Sequence, residues 1–423
     1  MWTRFGDDGP AASWEYLQAV TKQVMFRPGG SSTHSFPDRQ YYCGRDLTRA
    51  QSIADLRAMA LNRLPRFNAE YLEGGAEDER SLWANRQAFD ELEFQSRVLR
   101  DVSHISLQRT ILGVTSSLPL AIAPTGFNGL LWHRGDLALA RAASSKGIAF
   151  AQSTVSNATI ADVAVTPGLR HWFQLYLYGE DCVWERLLQQ AAAAGCETVI
   201  LTVDSPVHGN REWDRRNYQS GFALTFSSKL DMLCHTRWMW QVFRHGLPSF
   251  ANLAQFTPGP DRTLYSVARW ALANQRPQMD WATVAQIRRA WPGKLLIKGV
   301  TNVADVRVAM DAGLDGVVLS NHGGRQLDRS VVPLRLVRQA RAAAKSGFAL
   351  LVDSGFRRGS DIVQALALGA DAVLLGRAML YGLAAGGEAG VRRAIDILAT
   401  EISRTVALLG LRSVDELSPE VFA

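Results

Sequence analysis

The sequence lacks the features by which several classes of protein are recognised. No uninterrupted apolar run reaches about 18 residues, and Met1 is not followed by a basic region and an apolar core. We therefore expect neither a membrane-spanning helix nor a secretory signal. The four cysteines, Cys43, Cys182, Cys196 and Cys234, form no C-x-x-C pair and no metal-ligand spacing with histidines. This pattern predicts reduced structural thiols in a cytosolic protein that has no metal site.

The sequence also lacks a run of basic residues and the common nucleotide-binding motifs, which narrows the classes of ligand that the protein could bind. The chain carries 46 Lys and Arg against 40 Asp and Glu, but the basic residues form no run, so we expect no nucleic-acid partner. The excess of positive charge remains compatible with a membrane-surface protein or an enzyme for anionic substrates. Neither G-x-G-x-x-G nor a P-loop occurs, which removes support for a dinucleotide-binding fold or an NTPase.

What is present is one structural unit that repeats. Residues 1–45 show no sustained period and predict a poorly ordered N-terminal extension, whereas apolar residues at helical spacing predict a helical cap that opens a single domain over residues 46–423. A short apolar strand followed by an alanine-rich helix then occurs eight times, with strands that begin near residues 119, 147, 171, 198, 295, 316, 349 and 372. Eight such units predict an α/β fold, a (β/α)8 TIM barrel, with a large insertion at about residues 222–278 in the fourth β-α loop.

Polar side chains follow the predicted strands at their carboxyl ends, where a barrel has its active site. His322 is a candidate general base because imidazole titrates near neutral pH, and Asp204 would hold its tautomer. Arg211 and Arg325 suit a carboxylate, since a guanidinium fork matches its two oxygens. Lys298 offers a cation for negative charge that develops on a bound ring.

The loops after the last two strands predict a phosphate site. Glycines and arginines in residues 353–361, together with Gly376 and Arg377, combine freed backbone N–H groups, a helix N-terminus and guanidinium groups. These residues alone leave two classes of protein open, an enzyme and a barrel that binds a phosphorylated ligand without turnover. The joint presence of Asp204, His322 and two loop arginines favours the enzyme.

The same positions carry sequence words that resemble the FMN-dependent 2-hydroxy acid oxidases and dehydrogenases, and within that family the mandelate dehydrogenases. The words include FQLY at 173–176, LTVD at 201–204, KGV at 298–300 and SNHGGRQLD at 320–328. The resemblance implies an enzyme that binds FMN and oxidises a small 2-hydroxy acid to the 2-oxo acid. It also implies that the electrons pass to a quinone or another carrier.

The resemblance assigns roles to individual residues. It makes His322 the catalytic base with Asp204 as its partner. It places four side chains on the substrate: Tyr71, Tyr176, Arg211 and Arg325. It implies that FMN is bound by Pro124, Thr125, Gly126, Ser153, Gln174, Thr202, Lys298, Ser320, Asp353, Ser354, Gly355, Phe356, Arg357, Gly376 and Arg377.

Gly126 bears on the choice of substrate and acceptor. It stands where glycolate-type members of the family tend to have alanine, and the missing methyl group leaves room for a bulky substituent such as phenyl. In relatives this glycine also accompanies a slower reaction of the reduced flavin with oxygen. We therefore expect an aromatic substrate such as (S)-mandelate and a dehydrogenase. An L-lactate dehydrogenase and an oxidase that forms hydrogen peroxide remain the alternatives.

The predicted insertion mixes aromatic and basic side chains, among them Trp238, Trp240, Phe243 and Arg244. Such a mixture is typical of a segment in a membrane interface, although a lid or a subunit contact would also bury these rings. The stretch from residue 235 resembles the segment that anchors mandelate dehydrogenase to the inner membrane. We therefore expect a cytoplasmic protein that is peripheral on the inner face of the cell membrane. Relatives are often tetramers, and we expect a homotetramer.

Overall fold

The chain enters the barrel through a helical cap and a short antiparallel hairpin. The computed structural model describes residues 40–220 and 223–423, so most of the predicted N-terminal extension, residues 1–39, lies outside the described residues. The cap and hairpin consist of α1 (Ile53–Arg63), α2 (Arg66–Glu73), α3 (Arg80–Asp90), β1 (Arg109–Ile111) and β2 (Val114–Ser116). The hydroxyl of Ser52 caps α1 by accepting the N–H of Asp55.

Eight parallel strands form a closed barrel. They are β3 (Leu120–Ile122), β4 (Ala149–Ser153), β5 (Arg170–Leu175), β6 (Thr198–Thr202), β9 (Lys294–Val300), β10 (Gly316–Leu319), β11 (Ala349–Val352) and β12 (Ala372–Leu375). Between β6 and β9, the short strands β7 (Tyr218–Ser220) and β8 (Ala223–Leu224) form a separate antiparallel pair. Each barrel strand pairs with the next, and β12 pairs with β3. The eight predicted strands and the predicted barrel are confirmed. Most barrel strands are buried along their whole length, as their apolar sequences require.

Helices connect the strands on the outside of the barrel. Before the insertion they are α4 (Asn128–Leu131), α5 (Gly135–Ser145), α6 (Ile160–Ala164) and α7 (Asp181–Ala193). The connection between β6 and β9 contains α8 (Glu212–Arg216), α9 (Phe226–Cys234), α10 (Thr236–His245), α11 (Leu264–Ala273) and α12 (Trp281–Ala290). The remaining helices are α13 (Val303–Asp311), α14 (Pro333–Ala343), α15 (Gly359–Ala367) and α16 (Arg377–Leu408). Because every β-α unit returns the chain to the same end, the carboxyl ends of the eight strands share one rim.

Packing closes the opposite end of the barrel. Trp172, Ile200 and Leu296 lie in a buried cluster inside the barrel, and Ile111 of the β1–β2 hairpin belongs to the same cluster. A larger apolar cluster lies between the strands and the helices. The barrel interior is therefore filled, and the rim at the carboxyl ends is left as the place for a site.

The long connection between β6 and β9 packs against the cap. The indole Nε1 of Trp238 on α10 donates to the carbonyl of Leu130 at 2.7 Å, and its ring meets that of Phe67 edge to face at 5.5 Å. Arg63 on α1 donates to Oε1 of Gln241 at 2.7 Å. Across residues 40–220 and 223–423, no helix combines the length and the apolar character that crossing a bilayer requires. The exact domain and insertion boundaries stay predictions.

Candidate active site

The structure brings the predicted site residues together at the carboxyl rim, around a cavity of about 1530 Å³. Eighteen of the twenty-one predicted residues line this cavity. The other three, Asp204, Gln174 and Ser320, are each hydrogen-bonded to a residue that does. The cavity is larger than the roughly 300–1,000 Å³ of an ordinary small-ligand pocket, so it has room for a cofactor together with a substrate.

His322 and Asp204 form a buried pair. The carboxylate oxygens of Asp204 lie 2.9 and 3.1 Å from Nδ1 of His322. His322 has a left-handed backbone, with φ of 58°, and its N–H donates to the hydroxyl of Ser320 at 3.0 Å. The strained loop after β10 therefore turns the imidazole back towards the loop after β6. On the other side of the ring, Nε2 lies 3.4 Å from the hydroxyl of Tyr176.

The electrostatics of this pair suit a base. Burial lowers the pKa of His322 below its usual value, although the Asp204 carboxylate opposes this effect. Burial alone would raise the pKa of Asp204, but its attraction to His322 and the hydrogen bond between them lower it to about 2. At neutral pH, Asp204 is thus ionised and His322 is neutral. The carboxylate favours the tautomer with the proton on Nδ1, which leaves the lone pair on Nε2.

Two arginines stand side by side at the rim. Nη1 of Arg325 donates to the carbonyls of Tyr71 and Gly74, both at 2.7 Å. Its Nη2 is buried and finds no hydrogen-bond partner within the described residues. Nε of Arg211 donates to the carbonyl of Arg325 at 3.2 Å, and burial together with the Arg325 charge lowers the pKa of Arg211. A buried donor beside a second cation is an arrangement that an anion would stabilise.

Lys298 places a third positive charge in the cavity. Its Nζ donates to the hydroxyl of Ser320 at 3.0 Å and lies 3.3 Å from a carboxylate oxygen of Asp353. Burial would lower the pKa of Lys298, but the carboxylates of Asp353 and Asp204 raise it. The ammonium group is therefore charged, and this charge is held at a fixed position in the cavity wall.

A row of polar side chains crosses the ends of β4, β5 and β6. The hydroxyl of Ser153 donates to Oε1 of Gln174 at 2.8 Å, and Nε2 of Gln174 donates to the hydroxyl of Thr202 at 3.0 Å. All three side chains are buried, and Ser153 and Thr202 line the cavity. Such a row suits the polar edge of a heteroaromatic ring.

The loops after β11 and β12 form the opposite part of the cavity wall. Gly355 has φ of 92°, and a Cβ there would lie 2.5 Å from the carbonyl oxygen of Asn85, so no side chain fits. Arg357 donates to the carbonyl of Phe356 at 2.8 Å and lines the cavity beside Gly376 at the start of α16. A glycine-bearing loop, a guanidinium and a helix N-terminus are therefore adjacent, as a phosphate requires.

The guanidinium of Arg377 has a different environment from the one that a phosphate role would suggest. It donates to the carbonyls of Leu72 and Gly74 at the end of α2, and to the carbonyl of Gly323, each at 2.8 Å. Burial and the charge of Arg325 lower its pKa to about 10. The side chain thus fastens the cap to the His322 loop, so the prediction that Arg377 binds a phosphate rests on its backbone N–H, at the first residue of α16.

Sequence reasoning missed some residues of the site. Gln326 bonds to the loop after β6, and Asp214 lies 3.9 Å from Nη2 of Arg325. Gln326 belongs to the word SNHGGRQLD, so the sequence predicts that it lies in the same loop as His322. The sequence does not predict its hydrogen-bond partners. Asp214 gave no comparable signal.

Comparison with known proteins shows the family of this chain. The family model for FMN-dependent dehydrogenases matches residues 60–423. The chain belongs to the FMN-dependent dehydrogenase family. It is 44% identical to (S)-mandelate dehydrogenase of Pseudomonas putida over 371 residues, which cover 87% of this chain and 93% of that protein. It is also 44% identical to a putative L-lactate dehydrogenase of Mycobacterium tuberculosis over 377 residues, which cover 89% of each chain.

Solved structures of this family agree in fold. The monotopic membrane protein (S)-mandelate dehydrogenase aligns with a TM-score of 0.85 and 42% identity, over 89% of this chain and 99% of that chain. A mandelate oxidase with (S)-4-hydroxymandelic acid aligns with a TM-score of 0.74 and 36% identity, over 86% and 96%. The predicted family, fold and cofactor are confirmed.

The site of this FMN-dependent dehydrogenase fits its cofactor. The buried row of Ser153, Gln174 and Thr202 offers donors and acceptors to a flavin ring, and the buried Lys298 offers a positive charge. The Gly355 loop and the start of α16 offer backbone N–H groups to a phosphate. The individual roles of these residues remain predictions.

Proposed function

We propose that this enzyme oxidises an aromatic 2-hydroxy acid, of which (S)-mandelate is an example, to the 2-oxo acid. One observation carries the proposal: His322, Arg325 and Lys298 line the same cavity, and Nη2 of Arg325 has no hydrogen-bond partner within the described residues. A base, an anion-binding donor and a fixed cation are the groups that oxidation beside a carboxylate needs.

The cofactor-binding residues extend along one side of the cavity. Pro124, Thr125 and Gly126 would lie along the flavin through their backbone, and the row at Ser153 would meet the ring edge. The ribityl and phosphate groups would be held by residues that follow β10, β11 and β12, namely Ser320, Asp353, Ser354, Gly355, Phe356, Arg357, Gly376 and Arg377. FMN, when bound, would accept the electron pair together with one of the two hydrogens that the α-carbon and its hydroxyl lose, and the other leaves as a proton.

The remaining residues bind the substrate and move its proton. Arg211 and Arg325 hold the carboxylate, with Tyr71 and Tyr176 on the carboxylate or the hydroxyl. Nε2 of His322 then takes a proton from the bound acid. Asp204 stabilises the imidazolium that this transfer creates, and Lys298 would offer its fixed positive charge to the flavin ring.

The proposal of an aromatic substrate rests on the relatives named mandelate dehydrogenase and on Gly126. A Cβ at position 126 would lie 2.7 Å from Cγ2 of Val155, whose side chain also lines the cavity. An alanine would therefore displace Val155 and change the cavity wall. L-lactate is the second candidate, because one relative at 39% identity is named L-lactate dehydrogenase and one at 44% is named a putative L-lactate dehydrogenase.

We also propose that the long connection binds a membrane surface. Large apolar side chains are exposed on α9, on α10 and just beyond: Phe226, Leu230, Leu233, Trp240, Phe243 and Leu247. Residues 226–278 contain six Lys and Arg against two Asp, as contact with anionic lipid requires. One of the similar solved structures is that of the monotopic membrane protein (S)-mandelate dehydrogenase.

The acceptor in this proposal is a quinone. The cavity that holds His322 is also lined by Val242, Leu247 and Leu272 of the connection, and Leu247 belongs to the exposed apolar surface as well, which makes this part of the wall the proposed route for an apolar acceptor. A lipid-soluble acceptor is the kind that such a path suits. The homotetramer and the cytoplasmic location remain predictions.

Anaerobic reduction tests the central proposal. The purified protein is expected to be yellow and to bleach when (S)-mandelate is added without oxygen, more readily than with L-lactate or glycolate. The His322→Ala variant is expected to keep the colour and to lose the bleaching. Normal reduction in that variant would exclude His322 as the base.

Two further measurements separate the rival functions. An oxygen electrode distinguishes a dehydrogenase from an oxidase, because an oxidase consumes oxygen and forms peroxide with the same substrate. A barrel that merely binds a phosphorylated ligand would bind FMN and form no product across a panel of 2-hydroxy acids. That result would overturn the proposed reaction and retain the fold.

A further inference from the structure

A single amide side chain joins the two loops that carry the proposed base and the carboxylate-binding arginines. Nε2 of Gln326 donates to the carbonyls of Asp204 and Val207, both at 3.0 Å. Its Oε1 accepts from the N–H of Gly209 at 3.1 Å and from Nη2 of Arg211 at 3.2 Å. Two donors and two lone pairs are the full hydrogen-bonding capacity of a glutamine amide, and all four are used on one loop.

The two loops also touch through their backbones. A Cβ on Gly209 would collide with the carbonyl oxygen of Arg325 and with Cα of Gln326, so a residue without a side chain is needed there. Nε of Arg211 donates to the same Arg325 carbonyl at 3.2 Å. The close approach makes the distance between the loops sensitive to the side chains that bond across it, and the amide of Gln326 makes four of these hydrogen bonds.

We propose that Gln326 is a positioning residue for the oxidation proposed above, on which this inference rests. Its amide fixes residues 203–211 against residues 320–328. The donating half of the amide holds the backbone of Asp204, so that the carboxylate meets Nδ1 of His322. The accepting half holds the guanidinium of Arg211 beside Arg325. Gln326 thus acts through Asp204 and Arg211.

The variant Gln326→Leu removes the amide and keeps a side chain of similar bulk. Because displacement of catalytic groups by about 1 Å costs about 100-fold in rate, we expect a loss of this order in the rate constant of anaerobic flavin reduction. We also expect the holoenzyme to bind benzoylformate, the 2-oxo product of mandelate, about tenfold more weakly, since Arg211 loses its support. Binding is read from the perturbation of the flavin spectrum and is normalised to bound FMN.

The pH profile separates positioning from general damage. The Asp204 carboxylate raises the pKa of His322, so a looser pair lowers that pKa and moves the acid limb of the reduction rate to lower pH. The charged and titratable groups that act on this imidazole or are affected by it are Asp204, Lys298, Arg211, Tyr176 and His208. A general loss of activity that leaves Asp204 in place would lower the maximum reduction rate and leave the pH of the acid limb unchanged.

Gln364 provides the matched control. On α15 its Nε2 also donates to two backbone carbonyls, those of Phe89 and Leu92, both at 3.0 Å. We expect Gln364→Leu to lower the thermal midpoint and to leave both reduction and benzoylformate binding unchanged in the folded holoenzyme.

The outcomes distinguish this inference from the proposed function. If Gln326→Leu yields no folded holoenzyme, Gln326→Asn is measured instead. Its side chain keeps the amide and is one methylene shorter, and we expect the rate of anaerobic flavin reduction to fall about tenfold. A folded variant of either kind that stays within about twofold of the wild type in rate and binding would overturn the positioning role. A wild-type holoenzyme that no 2-hydroxy acid reduces would overturn the proposed function together with it.

Discussion

Replacement of Asp204 by asparagine tests the base most directly, because it changes the charge and hardly the shape. In the wild type both carboxylate oxygens lie within 3.1 Å of Nδ1 of His322. The pKa of Asp204 is about 2, so the carboxylate is charged throughout the working range of an enzyme. Asparagine removes this charge, and its amide offers an N–H that favours the tautomer with the proton on Nε2.

The expected effect follows from the bond that is lost. A hydrogen bond to a charged group contributes about 1.5–3 kcal/mol, and about 1.4 kcal/mol corresponds to a factor of ten in rate. The imidazolium exists only after the proton has moved, so this stabilisation is lost mainly from the transition state. We therefore expect the rate of flavin reduction to fall about 100-fold, with little change in the affinity for the carboxylate.

Stopped-flow absorbance under anaerobic conditions measures this rate across a pH series. Burial already lowers the pKa of His322, and loss of the carboxylate lowers it further, so the acid limb of the profile is expected to move to lower pH. Asp315→Asn is the control, because Asp315 pairs with Arg288 at 3.0 Å and with Lys294 at 2.8 Å near the start of β9. Reduction of Asp204→Asn at the wild-type rate would refute the assignment of this carboxylate.

Further variants test the other charges and the surface. Arg325→Lys removes the buried Nη2 and is expected to raise KM for mandelate about tenfold or more, with a smaller change in turnover. Lys298→Met leaves Asp353 buried without its cation, and we expect a loss of about 3 kcal/mol in unfolding free energy, measured with denaturant. Combined Trp240→Ser and Phe243→Ser removes side chains that are 61% and 81% exposed, and is expected to weaken sedimentation with anionic vesicles about 100-fold at unchanged reduction rate.

The barrel and the positions of its polar residues were predictable because local sequence determines them. The run GVVL at 316–319 can bury both faces only as an interior strand, and the polar SNHGG that follows must then lie at its carboxyl end. The same argument applies to the word TVILTVD at 198–204. Once the strands close a barrel, these ends converge, so His322 and Asp204 are brought together by topology.

The partners of long side chains were not predictable in this way. Arg377 follows a barrel strand, so a phosphate was a reasonable partner, yet its guanidinium reaches the carbonyls of Leu72 and Gly74 more than 300 residues away in sequence. A guanidinium has five donors and a flexible stem, and its bonds depend on which acceptors the folded chain leaves unpaired. Gln326 is a similar case, since its four partners lie in another loop.

Those unpaired acceptors are the last carbonyls of α2, since the final turn of any helix leaves its carbonyls without a partner inside the helix. This helix has eight residues and begins after Pro65, which offers no side-chain cap, so both of its ends depend on distant residues. At its start Asp231 of α9 accepts the N–H of Arg66 at 2.6 Å, and at its end Arg325 and Arg377 bond to the last carbonyls. Each cap has the sign that the helix dipole favours. The helix that presents Tyr71 to the cavity is therefore held at one end by the proposed membrane-binding segment and at the other by the proposed substrate-binding arginine, which places both functions on one short element.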